Sequence, residues 1–216
     1  MDDVRSTFAA RSSAKASTAT LLGQVMFLVA VAIAFMTLGT YMGRELETGT
    51  ARILSFAGFG MLIASAFVQR LRVGAVGIGW LYATALMIGL GLGPIIAYFA
   101  ANDPSALTQA AGGTALTVAA MGSLGFALSK DLAPFMRPLS LLVFGAVIVS
   151  IGLMLFTSGA NPIISIIIYA LSAALITVDF NYLRKHGTED DAVWLATGIF
   201  VSIVNIFLSL LNLFGD

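Results

Sequence analysis

The sequence predicts an all-α membrane protein, one bundle of seven transmembrane helices, and three observations carry that prediction. The chain of 216 residues is 59% hydrophobic and only 10% charged, with a mean hydropathy of +0.98, so a soluble fold could not keep its apolar surface from water. Its charges fall between long charge-free runs of about the 20 residues that a helix needs to cross the hydrocarbon at roughly 1.5 Å per residue. Lysine and arginine gather in alternate gaps between those runs, which makes the orientation readable.

Residues 1–20 are small, polar and mildly charged, without the basic start, short apolar core and cleavage site of a secretory signal. They read as a flexible cytoplasmic tail ahead of a single membrane domain over 21–216. The first run is 16–43. The second, 53–69, is the shortest, and it reaches both interfaces if Arg52 and Arg70 extend along the helix ends. The third, 73–102, carries Gly89, Gly91 and Gly93 before Pro94, and the fourth, 104–129, carries Gly112 and Gly113. These glycines permit close helix approach, and Pro94 a kink; packing of small residues is favoured over a ligand-binding loop. Run 138–178 has twice the needed length and a break at Thr157-Ser158-Gly159-Ala160-Asn161-Pro162, so it supplies the fifth and sixth helices. Run 192–215 is the seventh. Nine cations share one side (Arg5, Arg11, Lys15, Arg70, Arg72, Lys130, Arg137, Arg184 and Lys185), and two, Arg44 and Arg52, lie opposite. The positive-inside rule then puts the N-terminus and the 184–191 loop in the cytoplasm and Asp216 outside.

Composition also excludes. Zero net charge leaves no basic excess for a nucleic-acid backbone. A single histidine cannot build a His metal cluster, and the absence of cysteine removes disulfides, thiolate sites and thiol nucleophiles while leaving the compartment open. Membrane aspartyl proteases need two facing carboxylates and rhomboid-type chemistry needs an intramembrane histidine; the predicted spans hold one carboxylate and no histidine. The expectation is a non-enzyme without cofactor or bound metal.

The ionisable residue well inside a span is Asp179. It lies five residues before Arg184, which marks the end of the sixth helix, and so about 7.5 Å deeper by helical rise. Two readings follow: a proton- or cation-linked gate, or an inert ion pair with a loop cation. On the seventh helix Gly198, Ser202, Asn205, Ser209 and Asn212 recur at helical spacing on one face, and the sixth repeats the pattern with Ser165, Tyr169, Ser172 and Asp179. Stripes of small and polar side chains suit helices surrounded by protein, so these two helices are expected to face each other as a buried polar stripe. His186 reads as a solvated loop histidine. Glu189, Asp190 and Asp191 suit the positive end of the seventh helix dipole, and could attract a cation weakly.

The segment Val178-Asp179-Phe180-Asn181-Tyr182-Leu183, with Ile199-Phe200-Val201-Ser202-Ile203-Val204-Asn205-Ile206-Phe207 and Leu210-Leu211-Asn212-Leu213-Phe214-Gly215, resembles the C-terminal signature of the Bax inhibitor-1 family. Ser129-Lys130-Asp131-Leu132 looks like its loop between helices four and five, and Gly89-Leu90-Gly91-Leu92-Gly93-Pro94-Ile95-Ile96 looks like its third helix. The resemblance implies a seven-helix bundle of that type. Calcium-leak members pair two intramembrane aspartates as a pH-dependent gate; Asp179 matches the first, and Ser202 stands where the second would be. That departure weakens calcium leak as an expectation, though a single Asp could bind Ca2+ weakly. Residues 201–211, 92–96 and 112–116 look instead like the branch of bacterial modulators of FtsH protease. This implies an inner-membrane protein that binds and restrains a membrane-anchored AAA protease, for which a flexible cytosolic tail offers a place to grip.

Overall fold

The structure, a computed structural model, describes residues 18–156 and 161–215, and of 154–156 the backbone only. Most of the tail, the break at 157–160 and Asp216 lie outside the described residues. Seven helices follow one another: α1 (Thr18–Gly43), α2 (Thr48–Phe67), α3 (Gly74–Asn102), α4 (Pro104–Ala127), α5 (Ala133–Phe156), α6 (Pro162–Lys185) and α7 (Ala192–Phe214). All seven are long and apolar enough to cross a membrane. Two helix starts lie five residues ahead of their charge-free runs. α2 starts at Thr48 and α5 at Ala133, so Arg52 and Arg137 sit just past the first turns instead of in loops; long cationic side chains near a helix end can reach the interface from there.

Local chemistry fixes the ends. Asp103 caps α4 by accepting the Ala106 N–H at 3.0 Å, with Pro104 at the first helical position. Asn161 and Pro162 repeat the device at α6. Asp191 accepts from the Thr188 N–H at 3.0 Å and its hydroxyl at 2.7 Å just before α7. The Arg72 guanidinium turns back to donate to the Ser65 and Ala66 carbonyls, covering the end of α2 with positive charge. α3 runs through Pro94 without interruption.

α7 is the post around which the others stand. It packs on α6, α4, α1 and α3, while α3 is gripped between α1 and α2, and α6 between α4 and α5. Accordingly 56% of the most apolar stretch of α6 and of α7 is buried, against 11% for α2 and α5, which form the rim. Rim side chains such as Ile53 and Leu141, 69% and 70% exposed, are apolar because their solvent is lipid.

Lipid tails are as apolar as leucine, so helices are held by close packing and not by expulsion of water. The α1–α3 crossing shows how. A Cβ on Gly39 or Gly43 would strike the α3 backbone at Leu86 or Leu90, and one on Gly89 or Gly93 would strike α1 at Met36 or Gly43. Gly91, on the opposite face of α3, admits Ser55 of α2. In α4 the close approach belongs to Gly125, against the Thr177 carbonyl, and to Gly113, beneath Leu210; nothing lies within 4 Å of a Cβ on Gly112.

Gly89→Leu should therefore cost at least about 2 kcal/mol through forced separation of α1 and α3. Gly79→Leu, where a Cβ meets nothing within 4 Å, should leave the melting temperature in detergent unchanged; equal shifts in the two variants would contradict the crossing.

Candidate functional site

The polar residues of α6 and α7 meet along one antiparallel seam. At one end Asn212 Nδ2 donates to Ser165 Oγ at 2.9 Å. At the other, Asp179 Oδ2 lies 3.5 Å from where a Cβ on Gly198 would stand, so the missing side chain there makes room for the carboxylate. These two contacts set a register that brings Ser172 level with Asn205, and Ser202 one turn along α7 from Gly198. Ser165, Ser172, Asp179, Ser202 and Ser209 are buried; Tyr169, Gly198, Asn205 and Asn212 are half-buried.

Tyr169 departs from the expected stripe. Its hydroxyl lies 3.0 Å from Thr117 Oγ1, which ties α6 to α4 and not to α7. The ring is too large to share the narrow α6–α7 contact that serine and glycine allow.

What distinguishes the seam is unmet hydrogen-bonding capacity. Among the described residues Asp179 Oδ2, Ser172 Oγ and Ser202 Oγ are buried without a partner. Neither described ion pair includes Asp179, so the ion pair with a loop cation is not formed. Lys130 instead stands 5.9 Å from the centre of the Phe135 ring. Arg184 points its guanidinium at the Leu128 carbonyl, at 2.5 Å, and its buried Nε is unpartnered. An ionised carboxylate in such surroundings costs several kcal/mol unless a proton, a cation or water meets it. The chemistry available to the seam is thus the taking up of a proton or a cation, or simple interhelical adhesion.

A second cluster, at the end of the bundle carrying Arg184, is the opposite case. Asn181 is fully buried and fully satisfied: Oδ1 accepts the Leu132 N–H at 2.9 Å, and Nδ2 lies 3.1, 3.2 and 3.1 Å from the carbonyls of Gly125, Leu128 and Lys130. Lys185 Nζ donates to the Ser129 carbonyl. Cations and an amide thereby cover the negative end of α4 and clasp the α4–α5 loop to α6. His186 is partly exposed but not merely solvated, because Nε2 lies 2.8 Å from Asp131 Oδ2. Asn181 was hidden among the apolar residues of α6; the signal that could have found it is an amide one turn before two cations at a helix end, facing a loop rich in unpaired carbonyls. The clasp also establishes that Lys130, Arg184 and Lys185 share one end of the bundle.

Residues 18–216 match the family described as inhibitor of apoptosis-promoting Bax1. A protein of uncharacterised function from Pseudomonas aeruginosa is 28% identical over 197 residues, 87% of this chain and 85% of the relative. An uncharacterised membrane protein of Vibrio cholerae is 26% identical over 196 residues, 88% and 84% of the two chains.

Two outcomes follow from the clasp. Asn181→Ala leaves one amide and up to three carbonyls without a partner and should lower stability by about 3 kcal/mol, read as a fall in melting temperature that Ser172→Ala does not share. The Asp131 carboxyl is held below its usual range by the Ala133 N–H first and by His186 second. A lowered folded value contributes stability above the unfolded value of about 3.9, and that contribution is lost as pH falls through the folded one. Asp131→Asn should therefore be less stable than the parent at pH 7, and the difference should shrink to nothing as pH falls from the unfolded value through the lowered folded one. A difference that persists below the folded value would refute the coupling.

Proposed function

The chain belongs to the inhibitor of apoptosis-promoting Bax1 family of multi-pass membrane proteins, and from that premise we propose that it is a non-enzymatic protein of the bacterial inner membrane that binds and restrains a membrane-anchored AAA protease of the FtsH type. The observation that carries this reading is the lone acid of the seam. Asp179 faces Gly198, and the next polar group along α7 is the Ser202 hydroxyl, so two carboxylates cannot share a proton and the latch expected of calcium-leak members is not built. The seam then serves to hold α6 on α7.

The orientation belongs to the same proposal. With the Lys130, Arg184 and Lys185 end in the cytoplasm, residues 1–17 precede α1 on that side, within reach of a protease that pulls on a cytosolic end. A membrane protein of Vibrio cholerae among the relatives supports a bacterial membrane as the site.

A second reading keeps a specific observation of its own: a pH-dependent calcium or cation leak, supported by the unpartnered buried Oδ2 of Asp179. The two readings part experimentally. Under the first, the full chain copurifies with an FtsH-type protease from native membranes, deletion of residues 2–18 lengthens its lifetime several-fold while association persists, and Asp179→Asn changes neither. Vesicles reconstituted with the protein carry no calcium flux at any pH. Flux that rises with pH change and disappears in Asp179→Asn, with no protease in the purified complex, would replace the first reading by the second.

A further inference from the structure

α1 and α4 both rest on α7 and leave between them a cleft of about 860 Å³ in which the seam takes no part. Met26, Ile33 and Thr37 form one wall and Ala111, Ala115 and Ala119 the other, with Val204 and Phe207 of α7 as the floor. The three alanines are exposed and recur one turn apart, so this wall is low and the cleft opens sideways to lipid. Along α1 the lining runs from Leu22 to Thr37, about 22 Å by helical rise, which passes the midplane of a hydrocarbon core roughly 30 Å thick.

One end of the cleft is not apolar. Phe126 and Phe180, both in its lining, meet edge to face at 6.0 Å. Arg184 lies one turn beyond Phe180 on the same face of α6 and reaches across to the Leu128 carbonyl just past Phe126. Gly187 packs on Leu21, which brings the first turn of α1 to the same place. Arg184 carries a buried Nε without an acceptor and enters neither ion pair among the described residues; Asp131 is engaged with His186 and Asp191 with Thr188. A long apolar trough thus stops at Phe126 and Phe180, one turn short of a cation in neither ion pair of the described residues.

We propose that this cleft binds an anionic phospholipid, with an acyl chain lying on α7 between α1 and α4 and the phosphate paired with Arg184. The charge at the end selects an anionic head group, since guanidinium and phosphate make charge-assisted hydrogen bonds of good geometry. The charge at the end argues against a partner's apolar transmembrane helix, which would leave the Arg184 guanidinium without a counter-charge. The proposal rests neither on the protease reading nor on which side of the membrane this end faces.

The test uses the full chain, delipidated in mild detergent and offered equimolar phosphatidylglycerol and phosphatidylcholine of identical chains, with retained lipid counted by native mass spectrometry. One phosphatidylglycerol per chain should be held at least 5-fold in preference to phosphatidylcholine. Ala119→Phe fills the trough from an exposed position and should reduce retention of both lipids at least 5-fold with an unchanged melting temperature. Arg184→Gln should abolish the preference, and Arg184→Lys should restore most of it, which separates loss of charge from loss of the Leu128 contact. Equal retention of the two lipids by the parent chain, or undiminished phosphatidylglycerol in Ala119→Phe, would overturn the proposal. So would a two-chain species that Ala119→Phe converts to single chains, because the occupant would then be a second copy.

Discussion

The α1–α3 crossing is the contact on which the rest of the bundle depends. Hydrocarbon supplies no hydrophobic force between helices, so adhesion comes from backbone surfaces brought within van der Waals range. Gly39 and Gly43 lie directly on the α3 backbone, and Gly89 and Gly93 on that of α1. This seats α3 firmly enough to carry α2 on its other face through Gly91 and Ser55, and it leaves α1 positioned to flank α7. Gly125 plays the corresponding part between α4 and α6, so each half of the bundle has one crossing tight enough to act as a hinge pin.

Polar side chains are spent in two different ways along α6. At Asn181 one buried amide meets one N–H and lies within hydrogen-bonding distance of three carbonyls, which makes the α4–α5 loop a rigid part of the helix end. Two helical positions earlier, Asp179 keeps an oxygen unmet, and Ser172 and Ser202 do the same along the seam. A fully satisfied network is a source of rigidity, whereas an unsatisfied one stores a preference for any proton, water or cation that reaches it. The fold places these two regimes within a single turn of each other, at the end of the bundle where charge is densest.

Much of this was legible in the sequence, because the bilayer imposes a length rule that charge-free runs obey. Six charge-free runs, the alternation of cations and the split of the long fifth run gave the seven helices, and the motif around Asp179 pointed to the family. The facing of α6 and α7 was legible too, and what escaped was the rest of the lateral order of helices. Tyr169 shares the spacing of Ser165 and Ser172 yet turns to Thr117 of α4, because helical periodicity names a face and not the neighbour opposite it. His186 looked solvated because Asp131 lies 55 residues away in the chain. The cleft beside α7 left no trace, since alanines at Ala111, Ala115 and Ala119 read equally well as a packed face or an open one.

The span of the Asn181 contacts has a consequence for how the protein is made. Its partners lie 49 to 56 residues upstream, so throughout synthesis of α5 and most of α6 the end of α4 waits with its carbonyls open to the interface. Only when the sixth helix has left the translocon can the amide engage them and lock the two into one piece. The joining of α4 to α6 therefore waits on the penultimate helix.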